Sequence, residues 1–392
     1  MKNKIILLFV CILMVCGCSN YRELDDLAII TAIAIDKADD GKYELSFMIA
    51  NSPKAQTSSK EGEAKTTVFS GKGKTLTEAA NSVDSKSPKT LYYGHINVVI
   101  ISEEIAREGF LNIADWLLRS PETRKQFYLM QSKGDDAKDI LKIVEPLEAV
   151  PSQSITSLIE SNINSQSITT TISYSPFIER VLAKGYDPIL PTVSISGKVS
   201  KGSSEKNLEK TEPTSYLKLD DTAIFREDKF VGYVGRKESQ AINVLNNSVH
   251  ELKIDFKHEG NDVVYTSDSI KTSTKLVSPN HVKVHVKGSG FVSEVNGKID
   301  LEKVSTVKEL ENNLEKSLEK QLKKTLDKLQ NDFKCDVFGF GNKIYGKYPK
   351  KWDKIEKQWN DKYYPKLKVD ISADLAIESS GSLNRSIEEV RS

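Results

Sequence analysis

Apolar residues along this chain recur in two periods, and the elements can be read from them. Ile29 to Ile35 is a near-continuous apolar stretch with strand character. The turn Asp39-Asp40-Gly41 separates it from Tyr43, Leu45, Phe47 and Ile49, which alternate with Glu44, Ser46 and Met48. A period of two predicts a half-buried strand, and the two runs pair as a hairpin. A polar loop over 51–65 leads to a short strand, Thr66 to Ser70, and then through Gly71-Lys72-Gly73 into a helix opened by the capping box of Thr75 and Glu78. Ile96 to Ile101 reads as a fully buried strand. Glu103 to Leu118 reads as one helix, with Ala106, Phe110, Ile113 and Leu117 on one face. Ser120-Pro121-Glu122 has the form of a further helix start. A strand at Gln126–Gln131 and a helix at Asp135–Val144 follow, so strand and helix alternate, which favours some parallel sheet. Residues 151–186 read as helix in two pieces broken at Ser175-Pro176.

The second half is richer in strands. Lys201 to Ser215 is polar and aperiodic and reads as a linker. Strands are expected at Tyr216–Phe225 and Lys229–Val234 around the turn Arg226-Glu227-Asp228, then a short helix near Glu238–Leu245. Further strands are expected near 251–257, 262–267, 270–277 and 281–287. In the last of these Val282, Val284 and Val286 share one face, and His281, Lys283 and His285 the other. A long helix, Val304 to Phe333, carries Val307, Leu310, Leu314, Leu318, Leu322, Leu326, Leu329 and Phe333. Steps of four drift about 40° each around a helix of 3.6 residues per turn, so the stripe wraps. A helix lying across a twisted sheet fits this stripe, and so does a right-handed coiled pairing. Flanking strands on both sides favour the sheet. A strand at Lys366–Glu378 closes the chain. The fold class expected is α+β and multidomain, with three domains of mixed sheet and packed helix. Their expected bounds are an N-terminal α/β domain at 18–200, a linker at 201–215, a strand-rich middle domain at 216–300, and a C-terminal domain at 301–392.

Residues 1–17 change this picture. Lys2 and Lys4 precede an unbroken apolar run from Ile5 to Val15, and Val15-Cys16-Gly17-Cys18 is followed by polar Ser19-Asn20. That is the layout of a cleaved secretory signal, too short to span a membrane. An aliphatic and a small residue ahead of a cysteine form a lipobox, which makes Cys18 the candidate lipidation site. Two acyl chains on a diacylglyceryl cysteine give a stable bilayer anchor. Without this leader the chain has 54 basic and 55 acidic side chains, and a balance near zero gives no hint of nucleic-acid binding, which calls for a basic patch or stripe. Of four cysteines, Cys11 and Cys16 leave with the leader and Cys18 is acylated, so Cys335 alone remains as a thiol and no internal disulfide forms.

Motifs for catalysis are near-misses. Gly71-Lys72-Gly73-Lys74-Thr75 ends like a phosphate loop, but Val68 stands where that loop needs glycine, and Leu76 stands where a dinucleotide fingerprint needs its last glycine. His281 and His285 have helical ligand spacing on a strand, where four residues span about 13 Å, too far for one ion. Ser317-Leu318-Glu319-Lys320 matches a hydrolase spacing but falls on a leucine-rich helix. Cys335 is read as a buried thiol. Tyr345, Tyr348, Trp352, Trp359, Tyr363 and Tyr364 interleave with lysines. This stretch fits either a surface for a partner or a membrane, or an amphipathic element capping the last domain. No metal site, cofactor or catalytic centre is expected.

Several segments, in order, resemble one family. The acidic segment Tyr21-Arg22-Glu23-Leu24-Asp25-Asp26-Leu27-Ala28 follows Cys18. Leu91-Tyr92-Tyr93-Gly94-His95 leads into Ile96–Ile101 and Ser102-Glu103-Glu104-Ile105-Ala106-Arg107-Glu108-Gly109. Leu117-Leu118-Arg119-Ser120-Pro121-Glu122-Thr123-Arg124 comes next. Ala223-Ile224-Phe225, Asp228-Lys229-Phe230-Val231-Gly232, Asp336-Val337-Phe338-Gly339-Phe340-Gly341, Tyr348-Pro349 and Trp352 complete the series. The chain resembles the Ger(x)C family, the C-subunit lipoprotein of spore germinant receptors, although Tyr21 stands where many members carry tryptophan. The resemblance implies a three-domain α plus β fold and a non-enzymatic subunit. It also implies two membrane-embedded partners, the A and B subunits, and a place on the outer face of the spore inner membrane in nutrient-triggered germination. Candidate partner-contact residues are Tyr92, Tyr93, His95, Arg119, Arg124 and Trp352. Each has a plainer alternative in fixing a turn or a helix end. An extracytoplasmic solute-binding lipoprotein is the competing function; it would show two similar lobes, and the halves show no repeat.

Overall fold

The computed structural model describes residues 24–51, 65–120, 122–148, 150–166, 173–209, 211–219 and 221–379. The leader, Cys18, Tyr21 to Glu23, Pro121 and most of the expected polar loop at 51–65 lie outside the described residues. In chain order the first elements are β1 (Leu27–Lys37), β2 (Tyr43–Ala50), β3 (Thr66–Gly73), α1 (Leu76–Asp84), β4 (Thr90–Tyr92), β5 (Val98–Ile101), α2 (Glu103–Glu108) and α3 (Leu111–Arg119). Then come β6 (Tyr128–Ser132), α4 (Ala137–Ile140), α5 (Pro151–Gln166), α6 (Tyr174–Leu182), β7 (Ile189–Gly197), α7 (Val199–Gly202), β8 (Ser215–Lys218), β9 (Thr222–Arg226) and β10 (Lys229–Val234). These ten strands form one mixed sheet in the order β10-β9-β7-β6-β5-β1-β2-β3, with β4 beside β1 and β8 beside β7. The expected β1–β2 hairpin is antiparallel, with Ile33 opposite Phe47. β1, β5 and β6 run parallel.

Side chains of period two sort onto two covered faces. Ile33, Ile35, Leu45, Phe47, Val99, Ile101 and Leu129 meet α1, α2, α3 and α6 through Val83, Ile105, Ile113 and Phe177. Ala32, Ala34, Met48, Val98, Ile100 and Met130 meet α4 and α5 through Ile140, Ile155 and Ile159. Helices on both faces explain why β1 and β5 read as continuous apolar runs. They also correct the reading of β2 as half-buried. Glu44 and Ser46 are 8% and 0% exposed. Their polar groups are matched by Lys138 Nζ at 3.1 Å and Ser70 Oγ at 2.7 Å.

Other departures have local causes. The helix expected over 103–118 is two, α2 and α3, broken where Gly109 adopts φ 126°. There Phe110 N donates to Asp228 O and Leu111 N to Asp228 Oδ2, so the turn is fixed by the β9–β10 connection. Glu122 to Lys125 form bends and turns rather than a new helix. The break in 151–186 precedes Tyr174, and Pro176 sits in the first turn of α6, where it removes no helical hydrogen bond. β3 runs on through Gly73, so Gly71-Lys72-Gly73 is strand rather than loop. A side chain at Gly71 would strike Val83 at 2.7 Å, and one at Gly73 the backbone of Glu78 at 2.7 Å. Both glycines thus let α1 lie close on its strand, which accounts for them without a phosphate. Thr75 Oγ1 accepts from Glu78 N at 3.1 Å as expected, while the Glu78 carboxylate accepts from Lys74 N. Residues 201–215 connect β7 to β8, two paired strands of the same sheet. The segment is pinned by Asn207, whose amide donates to Val144 O and Ser215 O. Sheet membership therefore changes after Val234, not at 215.

The second sheet contains β11 (Lys253–His258), β12 (Asn261–Ser278), β13 (His281–Asn296) and β14 (Lys368–Ser379) in that order. It is preceded by α8 (Arg236–Leu245). Between β13 and β14 lie α9 (Val304–Lys328), α10 (Phe340–Lys347) and α11 (Pro349–Ile355). The expected strands at 262–267 and 270–277 are one strand, β12. Leu310, Leu314, Leu318, Leu322 and Leu326 of α9 are buried in one core with Val282, Val284, Val286, Ile371 and Leu375 of the sheet. The helix thus packs on the sheet, as the wrapping stripe suggested. Beside this stripe, Glu311, Glu315 and Glu319 accept from Ile377 N, Leu375 N and Ala373 N at 2.9, 3.0 and 3.1 Å. Four helical residues rise about 6.0 Å and two strand residues about 6.6 Å, so the two repeats nearly match. β14 pairs with β13 on its other side. Its outer edge, which would otherwise offer free donors, is capped by carboxylates.

Candidate functional site

Because β1, β5 and β6 are parallel, their amino ends share one margin of the large sheet. Here Gly94, His95, Ile96 and Asn97 lead into β5, and Arg124 and Gln126 lead into β6. With Tyr128 and with Gln153, Thr156 and Glu160 of α5 they enclose an open cleft of about 430 Å³. The steps of three and four put the α5 residues on one face of that helix. The floor is tied to the sheet, since Asn97 N donates to Thr31 O and Tyr128 N to Asn97 O, both at 2.9 Å. Tyr128 OH reaches Glu160 Oε1 at 3.5 Å. Arg124 is exposed and has no ion-pair partner among the described residues. The cleft therefore offers one charge of each sign and several amides and hydroxyls.

The sequence candidates divide. His95 and Arg124 line this cleft. Tyr92 flanks it, with its ring 5.8 Å from that of His95. Gly94 is required for space, since a side chain there would meet the Tyr92 ring at 2.6 Å. Tyr93 is half-buried and packs edge-on against Phe47 at 5.8 Å, and burial pushes its phenol up to about 12. Arg119 is exposed at the end of α3, bonded to Asp115 Oδ2 at 2.7 Å one turn back, and does not line the cleft. Trp352 must be corrected as a surface residue. It is 1% exposed and packs at a tilt against Trp359, ring centroids 5.3 Å apart. Trp359 and Tyr364 are buried too, Tyr348 and Tyr363 pack half-buried against the same core, and Tyr345 is exposed. His281 bonds Asp370 at 2.6 Å and His285 bonds Ser372 at 3.0 Å, so the two imidazoles have separate partners. Cys335 is buried, and burial raises its thiol far above the reactive range.

At the opposite, carboxyl margin of the parallel strands, where open α/β sheets usually bind ligands, helix caps take up the polar groups. Asp36 accepts from Ala137 N and Lys138 N at 2.7 and 2.9 Å, and burial lifts its carboxyl to about 6. Ser102 Oγ accepts from Ile105 N.

A second polar cluster joins the two halves. Asp187, ahead of β7, accepts from Glu227 N, Asp336 N and Asn360 Nδ2 at 2.9, 2.8 and 3.0 Å. Asp336 accepts from Phe338 N and Phe340 N on Oδ1, and from Gly341 N and Trp359 Nε1 on Oδ2. Burial raises these carboxyls to about 6 and about 7, against the pull of those donors. Half-buried Arg226 and exposed Asp361 close the cluster outside at 2.6 Å.

Sequence reasoning missed Gln153, Thr156 and Glu160, whose only signal was a polar row at spacing three and four. It also missed Asp187 and Asp336 as a pair. Asp187-Pro188 and the Asp336-Val337-Phe338-Gly339 run marked backbone turns, but nothing in either run points to the other.

Comparison with known proteins places this architecture in a family. Residues 20–195 match the family model described as the spore germination protein N-terminal domain. Residues 220–381 match the one described as spore germination B3/GerAC like, C-terminal. The chain belongs to this GerAC, or Ger(x)C, family of spore germination proteins. Among its relatives in Bacillus subtilis (strain 168), spore germination protein KC is 29% identical over 395 residues, covering 97% of this chain and 96% of that protein. Spore germination protein A3 is 27% identical, covering 97% and 99%. The crystal structure of the GerBC protein shares the fold at 20% identity with a TM-score of 0.56, covering 88% of this chain and 97% of that one. The family is named for germination and not for a reaction. No helix among the described residues is long and apolar enough to cross a membrane.

Proposed function

We propose that this chain is a non-enzymatic, lipid-anchored C subunit of a spore nutrient germinant receptor. In this reading Cys18 tethers it to the outer face of the spore inner membrane, and it acts by contact with the membrane-embedded A and B subunits. The observation that carries the proposal is that the family match begins at residue 20, two residues after the lipobox cysteine. The family likeness thus begins beside the proposed anchor. Only eight residues lie between Cys18 and Leu27, a reach of at most about 32 Å. Leu27 opens β1 at the same margin as the cleft, because β1, β5 and β6 are parallel and β4 pairs Tyr92 with Ile29. Tyr92, His95 and Arg124 would then face the membrane side, where embedded partners meet the body. Solute capture is the weaker reading. The cleft is open and polar, whereas small-molecule pockets are largely apolar and enclosed. The two sheets also differ in strand number and order, unlike a pair of similar lobes.

Two variants test this. Cys18→Ala should move the protein from the spore membrane fraction to the soluble fraction and impair germination on nutrients. Full membrane retention with normal germination would end the anchor proposal. Arg124→Glu should leave the unfolding free energy in urea within about 0.5 kcal/mol of wild type, as for ordinary surface changes, yet reduce recovery of the A and B subunits with the tagged chain. Undiminished recovery would remove the cleft from the interface.

A further inference from the structure

We infer that the β11–β12 hairpin and α9 together form a binding site for one divalent ion of the zinc class, held by His258, Glu259 and Glu309. A ring nitrogen of His258 and a carboxylate oxygen from each glutamate lie within 4.8 Å of one another. In a tetrahedral zinc site ligand atoms 2.0–2.2 Å from the metal are about 3.3 Å apart, so small rotations of two exposed glutamate side chains close the shell. A water would complete the fourth position.

Two observations support this site over a chance cluster of acids. His258 is only 5% exposed, yet it makes one hydrogen bond: Asn313 Nδ2 lies 3.0 Å from its Nδ1, and its other nitrogen has no hydrogen-bond partner among the described residues. Turning the Asn313 amide by 180° would let its oxygen accept the Nδ1 proton. That leaves Nε2 as a bare lone pair, the tautomer a metal requires, and makes Asn313 the outer support that fixes the ring. Asn313 lies one turn beyond Glu309 on α9, so one helix face supplies both a ligand and its support. Next, neither Glu259 nor Glu309 has an ion-pair partner among the described residues, while the nearby Lys257 is bonded to Asp262 at 2.7 Å. Two carboxylates without ion-pair partners beside an imidazole favour a cation between them. Glu259 lies with Gly260 in the two-residue turn that joins β11 to β12. A ligand at this turn would clip the hairpin of the second sheet to the helix packed on it.

The test uses the full-length chain, stripped with EDTA and titrated with zinc chloride by calorimetry and by thermal melting. One equivalent should bind saturably and raise Tm. Glu309→Gln, at an exposed helix position that should not disturb folding, should abolish that equivalent and the Tm shift. Asn313→Ala should weaken binding about 10- to 100-fold, the usual effect of losing an outer-shell partner. Glu104→Gln, exposed on α2, should behave as wild type. Absence of saturable one-equivalent binding, or binding by Glu309→Gln equal to wild type, would overturn the inference.

Discussion

Replacing Glu311, Glu315 and Glu319 together with alanine should strip the cap from the outer edge of β14. Each carboxylate accepts one backbone N–H, from Ile377, Leu375 and Ala373. A hydrogen bond to a charged group contributes about 1.5–3 kcal/mol net, and these part-buried ones belong at the lower end. Alanine returns about 0.4 kcal/mol of helix propensity at each position. The net loss is then about 1 kcal/mol per site and about 3 kcal/mol for the triple variant. With a urea slope near 3 kcal/mol/M the midpoint should fall by about 1 M. The triple glutamine variant keeps an acceptor at each site and should lose about half as much. Hydrogen exchange gives the local readout: the amides of residues 373, 375 and 377 should exchange faster in the alanine variant, ahead of those that β14 donates to β13. An uncapped edge also invites strand addition by a second molecule, so the variant should self-associate at concentrations where wild type does not. If the triple alanine variant keeps its midpoint within about 0.3 M and its slow exchange, these carboxylates do not cap the strand in solution and the matched-repeat argument fails.

The buried carboxyl pair predicts an inverted pH response. Asp187 and Asp336 titrate at about 6 and about 7 in the fold, above the 3.8 of an unperturbed aspartate. Between about pH 4 and 7 the native state therefore holds more protons than the unfolded chain. Their contribution to stability is fully present below the unfolded value and is lost as pH rises through the folded values. Asp336→Asn leaves two of its four donors without an acceptor, so it should cost about 2–4 kcal/mol at pH 7. It should also flatten the fall in urea midpoint between pH 5 and 7.5, and an unchanged slope would contradict the assignment. Gly185→Ala should cost about 2–4 kcal/mol by thermal melting, since φ is 63° there and the new methyl would press on the Trp352 ring and on Gly341 Cα at 2.8 Å. A loss below about 0.5 kcal/mol would mean that the Trp352 pocket yields.

Local periodicity revealed which face of an element is buried, and it failed where the answer lay in a distant segment. The leucine stripe of α9 and the valines of β13 were legible because burial on one face imposes a repeat on the sequence itself. In β2 the same rule misled. Glu44 and Ser46 look like a solvent face, but Lys138 and Ser70 satisfy them under a second helical layer. The break at Gly109 depends on Asp228, over a hundred residues away, so the helical pattern through Phe110 and Ile113 gave no warning. Trp352 shows the limit most clearly. Its stretch was amphipathic by composition, and whether the rings face in or out is decided by the space left at Gly185 and Gly341. At the cleft, His95 and Arg124 stood out because they precede strands in recognisable segments. Gln153, Thr156 and Glu160 did not, since polar residues on a surface helix are what any soluble protein carries. Glu311, Glu315 and Glu319 were equally ordinary for the same reason. Their partners lie 66, 60 and 54 residues downstream, and only the closeness of a four-residue helical rise to a two-residue strand rise makes their spacing meaningful. Polar residues in periodic rows thus acquire a role only when the fold shows what lies opposite, and in this chain the rows lie opposite a strand edge in one half and a cleft at the amino margin of the parallel strands in the other.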